Sequence, residues 1–436
     1  MKKKTDLSFL RNGIKDIKKT LSGGAIYIIA GNFLTQFAIF FGSIFLVRAL
    51  SKEDFGLLSY IENIYGYIYI FAGMGLINGL LRYIILSKDN KKQKAYYIFS
   101  IKRGSIINIS LVLILISFVF FISLNEAYID AKVPLIILIL IVPFQFLIDS
   151  SIMVYRAKFS YKLFALSSVL ISILIITSKY FGAITYGLLG VSIFRLITVF
   201  FTSLLLILLV IRRFFPKIKR SNLSKSEIRD LHTYSFSYML TNGIWVLIML
   251  NNVFLLGIFN LEPETIADFK VATVLPNNLA LISSAIGVYV GPYFVKNEKN
   301  FKWIKNNFYK IFFVTLVFVL FGGLFILLFS KQLILIIFGV KYLNIIPLMN
   351  LLLVGAVINS AFRFTIANIL SAMGKIKYNF YISIIGLILQ VTINLLLIPV
   401  LDVYSVAIAN IAIYSVMSIL LFISFHKQYL RNEVIN

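Results

Sequence analysis

The chain has 436 residues, 60% of them hydrophobic and 14% charged, with a mean hydropathy of +0.94 and a formal net charge of +25. A water-soluble domain cannot cover that much apolar surface, so the composition excludes one and indicates a protein whose solvent is the lipid bilayer. The absence of cysteine excludes disulfides. With only two histidines, the chain has few residues for a zinc site or for histidine-based catalysis.

Residues 1–21 are basic and carry apolar residues at helical spacing, namely Leu7, Leu10, Ile14, Ile17 and Leu21. This pattern predicts an amphipathic cytoplasmic helix on the membrane surface, with a disordered basic tail as the alternative. It is not the pattern of a cleavable signal peptide.

Twelve apolar stretches follow, each roughly long enough to cross about 30 Å of hydrocarbon. They lie at 24–47, 55–81, 104–124, 134–155, 162–181, 186–211, 234–259, 269–294, 308–329, 344–371, 378–400 and 403–425. A further apolar piece at 333–338 is too short to span, and we expect it to begin the next helix or to lie at the surface.

The positive charges alternate with these spans. Of the 42 lysines and arginines, 33 fall on segments that the map places on one side of the membrane and six on the other. Positive residues mark the cytoplasmic side, so both termini are predicted to be cytoplasmic. A missing span would scramble the alternation, which therefore supports the count of twelve. The basic excess faces anionic lipid headgroups, and no basic soluble domain is left to bind a nucleic acid.

The two halves of the chain resemble each other. Residues 161–164 match 378–381 at an offset of 217, and residues 185–187 match 403–405 at an offset of 218. The matches predict an internal duplication with six spans in each half. Six is an even number, so the repeats are parallel, as in one class of transporters. The predicted segments are an N-terminal segment, an N-lobe, a basic cytoplasmic linker, a C-lobe and a C-terminal tail, at 1–21, 22–211, 212–233, 234–425 and 426–436.

Several polar residues fall inside predicted spans, where they are costly and indicate a cavity or a partner helix. Arg195 and Arg363 favour a water-filled cavity, because a guanidinium is hard to satisfy inside a packed bundle. Amide and hydroxyl groups form stripes on other spans, for which hydrogen bonding between helices is an equal alternative. These stripes are Asn32, Gln36 and Ser43; Asn242, Asn251 and Asn252; Asn277, Asn278 and Ser284; Asn359 and Ser371; and Ser383, Gly386, Gln390 and Asn394.

Four further residues stand out in or near the spans. Glu62 can pair with one of the arginines or bind a proton or a sodium ion. Arg82 and Asp149 lie near helix ends, where snorkelling to the interface is the simpler explanation. Pro276 either breaks span eight or only kinks it. A cavity lined by arginine, asparagine and tyrosine suits an anionic, hydroxyl-rich ligand such as a phosphorylated sugar lipid.

Three stretches stand out as motifs: LSKEDFGLLS at 50–59, GLINGLLR at 75–82, and AMGKIK at 372–377 followed by NLLLIP at 394–399. They resemble the polysaccharide transporter family, the O-antigen or Wzx-type flippases. That family belongs to the superfamily that also holds multidrug and toxin extruders and lipid II flippases. Two features depart from the family pattern. Residues 400–405 lack the glycine of the usual turn, and Asn251 and Asn252 stand where many relatives have an aspartate.

The resemblance implies an all-α, polytopic membrane protein with about twelve transmembrane helices in two six-helix lobes around a central cavity. It implies a flippase of the bacterial cytoplasmic (inner) membrane that moves an undecaprenyl-diphosphate-linked oligosaccharide, such as an O-antigen or capsule repeat unit, by alternating access. The alternatives are a drug or small-solute exporter of the same superfamily and, less favoured, a membrane-embedded enzyme of lipid-linked glycan assembly. Short outer loops disfavour the enzyme because they leave no catalytic platform.

On this interpretation the candidate substrate-binding residues are Arg195, Arg363, Arg82, Asn32, Gln36, Asn242, Asn359, Gln390 and Asn394. Glu62 and Asp149 are the candidates for proton or sodium coupling. We expect no catalytic residue, no metal site and no cofactor. The expected partners are the lipid-linked oligosaccharide, anionic membrane lipids, and a glycan polymerase or other envelope assembly proteins, with no nucleic acid among them.

Overall fold

The computed structural model describes residues 26–121, 126–216 and 221–430, and all regular structure in these ranges is helical. The predicted all-α class is confirmed. The amphipathic segment predicted at 1–21 lies outside the described residues, as do the last six residues of the predicted C-terminal tail.

The first half of the chain forms helices α1 (Ile26–Ala49), α2 (Lys52–Ile70), α3 (Leu76–Leu86), α4 (Asn90–Phe121), α5 (Lys132–Ala157) and α6 (Tyr161–Phe214). The second half forms α7 (Lys225–Ile258), α8 (Pro263–Asn277), α9 (Ala280–Lys296), α10 (Phe301–Leu328), α11 (Ser330–Ile337), α12 (Ile346–Ile358), α13 (Thr365–Ala372), α14 (Ile376–Leu401) and α15 (Tyr404–Phe425). Short 3₁₀ or π turns connect them at Ala72–Gly75, Glu126–Ala131, Val340–Ile345 and Asn359–Phe364, and one follows α15 at His426–Leu430.

Within the described ranges, ten helical segments are long and apolar enough to cross a membrane, and α2 with α3 forms an eleventh that bends by 44°. The protein is therefore a multi-pass membrane protein. The apolar piece at 333–338 belongs to α11, which has eight residues and is too short to span.

Helix α6 supplies two of the predicted spans. Its 54 residues would measure about 80 Å as a straight rod, more than twice the thickness of the hydrocarbon core. The backbone leaves the helical region at Tyr186 and Gly187. On either side of this break Gly182 and Gly190 touch so closely that a Cβ on either would overlap the carbonyl oxygen of the other. The chain doubles back here. Counted as two, α6 brings the span candidates among the described residues to twelve, the number predicted.

The turns that close the two predicted repeats share an unusual backbone. Gly187, between spans five and six, has φ 58° and ψ −139°, and Asp402, between spans eleven and twelve, has φ 52° and ψ −139°. This left-handed region favours glycine because a Cβ is strained there. The matching dihedrals agree with the predicted duplication. Asp402 therefore stands at a backbone position that favours glycine.

We expect Asp402→Gly to stabilise the protein by about 1 kcal/mol. Relieving the backbone strain stabilises the folded state by roughly 1–3 kcal/mol. Glycine loses more conformational entropy on folding than aspartate, which offsets part of that gain. The Asp402 side chain is exposed, so little packing is lost. The measurement is the thermal unfolding midpoint of the detergent-solubilised protein, with Gly187→Asp as the reciprocal variant that should lower it. A lower midpoint for Asp402→Gly would show that the turn is not strained.

The chain folds into two compact units, each made of separate stretches of sequence. The first contains the described residues up to Ala49 and those within 68–123 and 132–239. The second contains the described residues within 50–67 and 124–131 and those from Leu240 onward. Two stretches of the first half thus belong to the unit that the second half builds, and the predicted lobe boundaries stay a prediction.

The first unit packs closely around Phe146 of α5, which is fully buried. Gly73 and Gly104 approach its ring so closely that a Cβ on either would overlap it. The backbone N–H of Gly73 also donates to Oδ1 of Asn108 at 2.7 Å. The break between α2 and α3 is thereby held against α4 and α5.

A capping box starts α7 in the first unit. The Ser224 hydroxyl accepts from the backbone N–H of Glu227 at 3.2 Å, and Glu227 accepts from the Ser224 N–H at 2.8 Å. The ammonium of Lys92 lies 2.6 Å from the other oxygen of Glu227. This ion pair ties the start of α4 to the start of α7.

In the second unit, the first part of α2 lies along α7 and α8. Gly56 approaches the carbonyl of Pro263 so closely that a Cβ would overlap it. Nδ2 of Asn63 donates to the Leu250 carbonyl at 2.9 Å. The missing side chain of Gly56 therefore lets α2 approach the backbone of α8, and the amide of Asn63 bonds α2 to the backbone of α7.

Polar contacts join the same elements where α2 begins. Nζ of Lys52 lies 2.8 Å from Asp268 and 3.9 Å from Glu264. The Tyr128 hydroxyl, on the turn before α5, donates to the Leu261 carbonyl. The start of α2 and the turn before α5, both in the first half of the chain, are thus held by residues of the second half within one unit.

Candidate functional site

Arg363 lies in the second unit on a π-helical turn, Asn359–Phe364, that interrupts the tenth predicted span. Its side chain is buried, and the guanidinium carbon lies 3.7 Å from the centre of the Trp245 ring. Nη1 donates to Oδ1 of Asn359 at 3.2 Å, whereas Nε is shielded from solvent and has no acceptor among the described residues. π turns of this kind often mark functional sites.

The charge of Arg363 has no counter-ion in the part of the chain that the structure describes. Burying an unpaired charge costs on the order of several kcal/mol even after relaxation. A desolvated cation–π contact returns about 2 kcal/mol, so stacking on Trp245 offsets only part of that cost. The site is therefore suited to an anion, which a guanidinium binds through its planar fork of donors.

A polar cavity of 70 Å³ lies in the same unit, with room for about two water molecules. Its lining joins a cation to amide and hydroxyl groups, namely Lys270, Asn252, Thr273, Asn277, Asn410 and Tyr414. Tyr414 is also within electrostatic reach of Arg363. Pro276 lines the cavity at the end of α8. Asn278 and Leu279 keep helical dihedrals up to the start of α9, and Pro263–Gly287 counts as one candidate span. Of the two predicted alternatives for Pro276, the structure therefore shows the kink and not the break.

Glu62 of α2 lies within electrostatic reach of Lys270. The sequence offered an arginine as one partner for this carboxylate. The structure instead brings it near a lysine of α8 in the second unit. Both groups are partly buried, and opposite charges attract more strongly there than in water.

Five amide side chains of α7, α14 and α15 form a buried network in the second unit, with Asn252 at its centre. Oδ1 of Asn252 accepts from Nε2 of Gln390 at 2.9 Å and from Nδ2 of Asn394 at 3.2 Å. Its Nδ2 donates to Asn410 at 3.1 Å. Asn251 reaches Gln390 over a longer 3.4 Å. The network joins three helices.

The stripe predicted on span eleven is a real face of α14. Ser383, Gly386, Gln390 and Asn394 are all buried on it. Gln390 and Asn394 donate hydrogen bonds to Asn252 of α7. This matches the alternative explanation of the stripe, hydrogen bonding between helices. A substrate contact by either residue stays a prediction.

Asp149 lies in the first unit and does not snorkel toward a helix end. Its Oδ2 accepts from the Tyr69 hydroxyl, and its Oδ1 accepts from Nε2 of Gln145 at 3.0 Å. The snorkelling explanation is wrong for this residue because its carboxylate is bound by α2 and by its own helix. The carboxylate is thus held by two neutral hydrogen-bond donors.

The remaining predicted site residues are less buried. In the first unit Arg195 is half-buried, Asn32 and Gln36 are exposed, and Arg82 is exposed with its guanidinium 4.6 Å from the centre of the Tyr234 ring. Asn242 is exposed on α7 in the second unit. The structure thus groups Arg363 with Asn359, and Gln390 with Asn394, within one unit. The assembly of all nine residues around one central cavity stays a prediction.

Comparison with known proteins decides the family. A family model described as polysaccharide biosynthesis protein matches residues 21–298. The chain belongs to this family. Among curated proteins, an uncharacterised membrane protein of Methanocaldococcus jannaschii is 23% identical over an alignment of 414 positions, which covers 86% of this chain and 78% of that protein.

Solved structures of membrane transporters share the fold. An inward-facing multidrug resistance transporter of the MATE family matches with a TM-score of 0.72 at 15% identity, over 91% of this chain and 96% of that one. The lipid II flippase MurJ in an inward closed conformation also reaches 0.72, at 17% identity over 94% and 90% of the two chains. A MOP superfamily transporter from Pyrococcus furiosus matches at 0.62, with 15% identity over 94% and 96%.

The predicted family resemblance is confirmed by the family model, and the chain shares the fold of a MOP superfamily multidrug transporter and of a lipid II flippase. The solved structures with this fold include a multidrug transporter and a lipid II flippase, and this chain is a multi-pass membrane protein.

Sequence reasoning in this family member overlooks three residues of the second-unit site. Lys270 stands inside predicted span eight, so the cost argument that singled out Arg195 could have found it. Trp245 and Tyr414 carry no such signal, because aromatic residues are common in membrane spans. Only the fold places them beside Arg363.

Proposed function

We propose that this protein is a flippase that moves an undecaprenyl-diphosphate-linked oligosaccharide from the cytoplasmic to the outer leaflet of the cytoplasmic membrane by alternating access. The observation that carries the proposal is the buried, uncompensated charge of Arg363 on Trp245 and Asn359. A diphosphate would supply the missing counter-charge and accept from the free donors of the guanidinium.

Family membership and fold support the same class of substrate. The matching family is described by its part in polysaccharide biosynthesis, and MurJ, which shares the fold, is a flippase for lipid II. On this proposal the amide and tyrosine groups near Arg363 serve sugar hydroxyls. The termini lie in the cytoplasm, as the positive residues predict. A glycan polymerase or another envelope assembly protein is the expected partner on the outer side.

Coupling to a proton or a sodium ion belongs to the proposal, with Glu62 and Asp149 as the candidates. Asp149 is bound by Tyr69 and Gln145, and Glu62 lies near Lys270. Each carboxylate has neighbours that respond to its charge, as a coupling site requires.

A drug or small-solute exporter is the second candidate, since MATE transporters share the fold. An exporter of cationic drugs would be expected to bind its substrate on acidic or apolar side chains. The uncompensated guanidinium favours an anion instead, which ranks the flippase first. An enzyme of lipid-linked glycan assembly is the least favoured alternative.

The test is transport by the purified, full-length protein in lipid vesicles. Vesicles carry an undecaprenyl-diphosphate-linked oligosaccharide with a fluorescent sugar, and a glycosidase added outside reports the fraction that has crossed. We expect faster crossing than in protein-free vesicles and in vesicles holding an unrelated polytopic protein. Equal rates in all three would refute the proposal, and export of a cationic dye by the same vesicles would favour the exporter.

A further inference from the structure

A groove at the cytoplasmic end of the first unit has no part in the site described above. It has a volume of 420 Å³ and lies between α4 and the chain that leads into α7. Its polar lining consists of Lys102, Arg103, Ser221 and Asn222, and Phe99 and Ile106 are among its apolar residues. We call it the linker groove.

The linker groove is positively charged and is not neutralised from within. None of its lining residues is acidic. The acidic groups that begin α7 are engaged elsewhere: Glu227 pairs with Lys92 at 2.6 Å, and Asp230 lines a separate cavity together with Lys225. Lys102 and Arg103 form no ion pair within the described residues. Two cations on neighbouring positions therefore face the groove without a counter-ion.

A neutral donor in the linker groove also lacks a partner. The Ser221 hydroxyl is shielded from solvent and makes no hydrogen bond within the described residues. A shielded hydroxyl without a partner is destabilising, and an acceptor oxygen in the groove would remove that cost. Cations and a hydroxyl donor together are the chemistry that binds a phosphate group.

An apolar track leads from the linker groove into the hydrocarbon. Ile106 lines the groove and is 56% exposed, and on the same face of α4 Ile109 is 51% and Leu113 is 63% exposed. These residues follow each other at i, i+3 and i+7, which is one helical stripe. The third predicted span begins at Gly104, so the groove lies where headgroups meet acyl chains.

We propose that the linker groove binds an anionic glycerophospholipid of the cytoplasmic leaflet, with its phosphate on Lys102, Arg103 and Ser221 and an acyl chain along Ile106, Ile109 and Leu113. A soluble anion would leave the apolar stripe unused. The glycerophospholipid is chosen over the polyprenyl carrier because the stripe faces the bulk leaflet, where such lipids are in large excess. The bound lipid joins α4 to the chain that enters α7.

The experiment uses the purified, full-length protein and native mass spectrometry with phosphatidylglycerol and phosphatidylcholine. We expect one tightly bound phosphatidylglycerol and no comparable phosphatidylcholine. Lys102→Gln with Arg103→Gln should weaken phosphatidylglycerol binding roughly 30-fold, because each cation near the surface contributes about 1 kcal/mol. Both side chains are exposed, so the variant should fold as the parent does.

The matched control is Lys88→Gln with Lys91→Gln, which removes the same charge from exposed positions outside the groove. It should change binding by a factor of about two at most, because surface charges at a distance are screened. An equal loss in both variants would reduce the effect to general surface attraction and overturn the site. Unchanged binding in the groove variant would overturn it as well. Displacement of phosphatidylglycerol by equimolar undecaprenyl phosphate would assign the groove to the carrier lipid instead.

Discussion

Arg363→Ala is expected to lower transport of the lipid-linked oligosaccharide by roughly 10- to 100-fold, the value of one or two hydrogen bonds to a charged group. The guanidinium is buried, stacks on Trp245 and has no counter-ion among the described residues. Arg363→Lys should recover part of the activity, because an ammonium keeps the charge but cannot bind a phosphate through two parallel donors.

Stability should move in the opposite direction. Arg363→Met replaces an unpaired buried charge with an apolar side chain of similar length, which is often neutral or stabilising by about 1–4 kcal/mol. We therefore expect the thermal unfolding midpoint of the methionine variant to equal or exceed that of the parent while transport is lost. A structural role for Arg363 would lower both quantities together.

Arg82→Ala is the matched control for this series. Arg82 is also a predicted substrate residue, but it is exposed and its guanidinium lies over Tyr234. An exposed cation contributes little to a bound phosphate because water screens it. Transport by Arg82→Ala should therefore stay close to the parent rate. Full activity of Arg363→Ala would remove the residue from the binding site, and the proposed ligand chemistry with it.

Periodicity and charge were sufficient to predict which segments cross the membrane. The apolar stretches predict twelve spans, and the alternation of positive residues supports that number. Two of these spans form the 54-residue helix α6. The polar stripe on α14 could also be predicted, because one helix face is a local property of the sequence. Such features depend on residues that are near each other in the chain.

The partners of these residues depend on the fold and could not be predicted. The sequence gives no indication that Gln390 reaches Asn252, 138 positions away, or that Glu62 lies near Lys270. Asp149 shows the same limit: its place near a helix end suggests snorkelling, whereas Tyr69 of another helix binds it. A single sequence predicts which residues share a helix face. Which helix faces contact each other depends on the packing of the whole unit.

Asn252→Leu is expected to destabilise the protein by about 2 kcal/mol. The substitution removes the acceptor of Gln390 and Asn394 and the donor to Asn410 at once. A hydrogen bond between membrane helices contributes about 0.6 kcal/mol on average, and amides left unpaired in the interior add to the loss. Asn251→Leu is the matched control, since Asn251 makes a single long contact of 3.4 Å. The thermal midpoint should fall clearly in the first variant and only slightly in the second.

Asn252→Asp tests the acceptor and the donor of the Asn252 amide separately. The aspartate keeps an acceptor for Gln390 and Asn394 but, when ionised, cannot donate to Asn410 and places a charge inside the bundle. A protonated carboxyl is neutral and can donate again. We therefore expect Asn252→Asp to be destabilised at high pH and to recover as the pH falls, measured by thermal unfolding across pH in parallel with the parent. A pH-independent loss would contradict this expectation, because it would mean that the carboxyl does not change its ionisation state over the range measured.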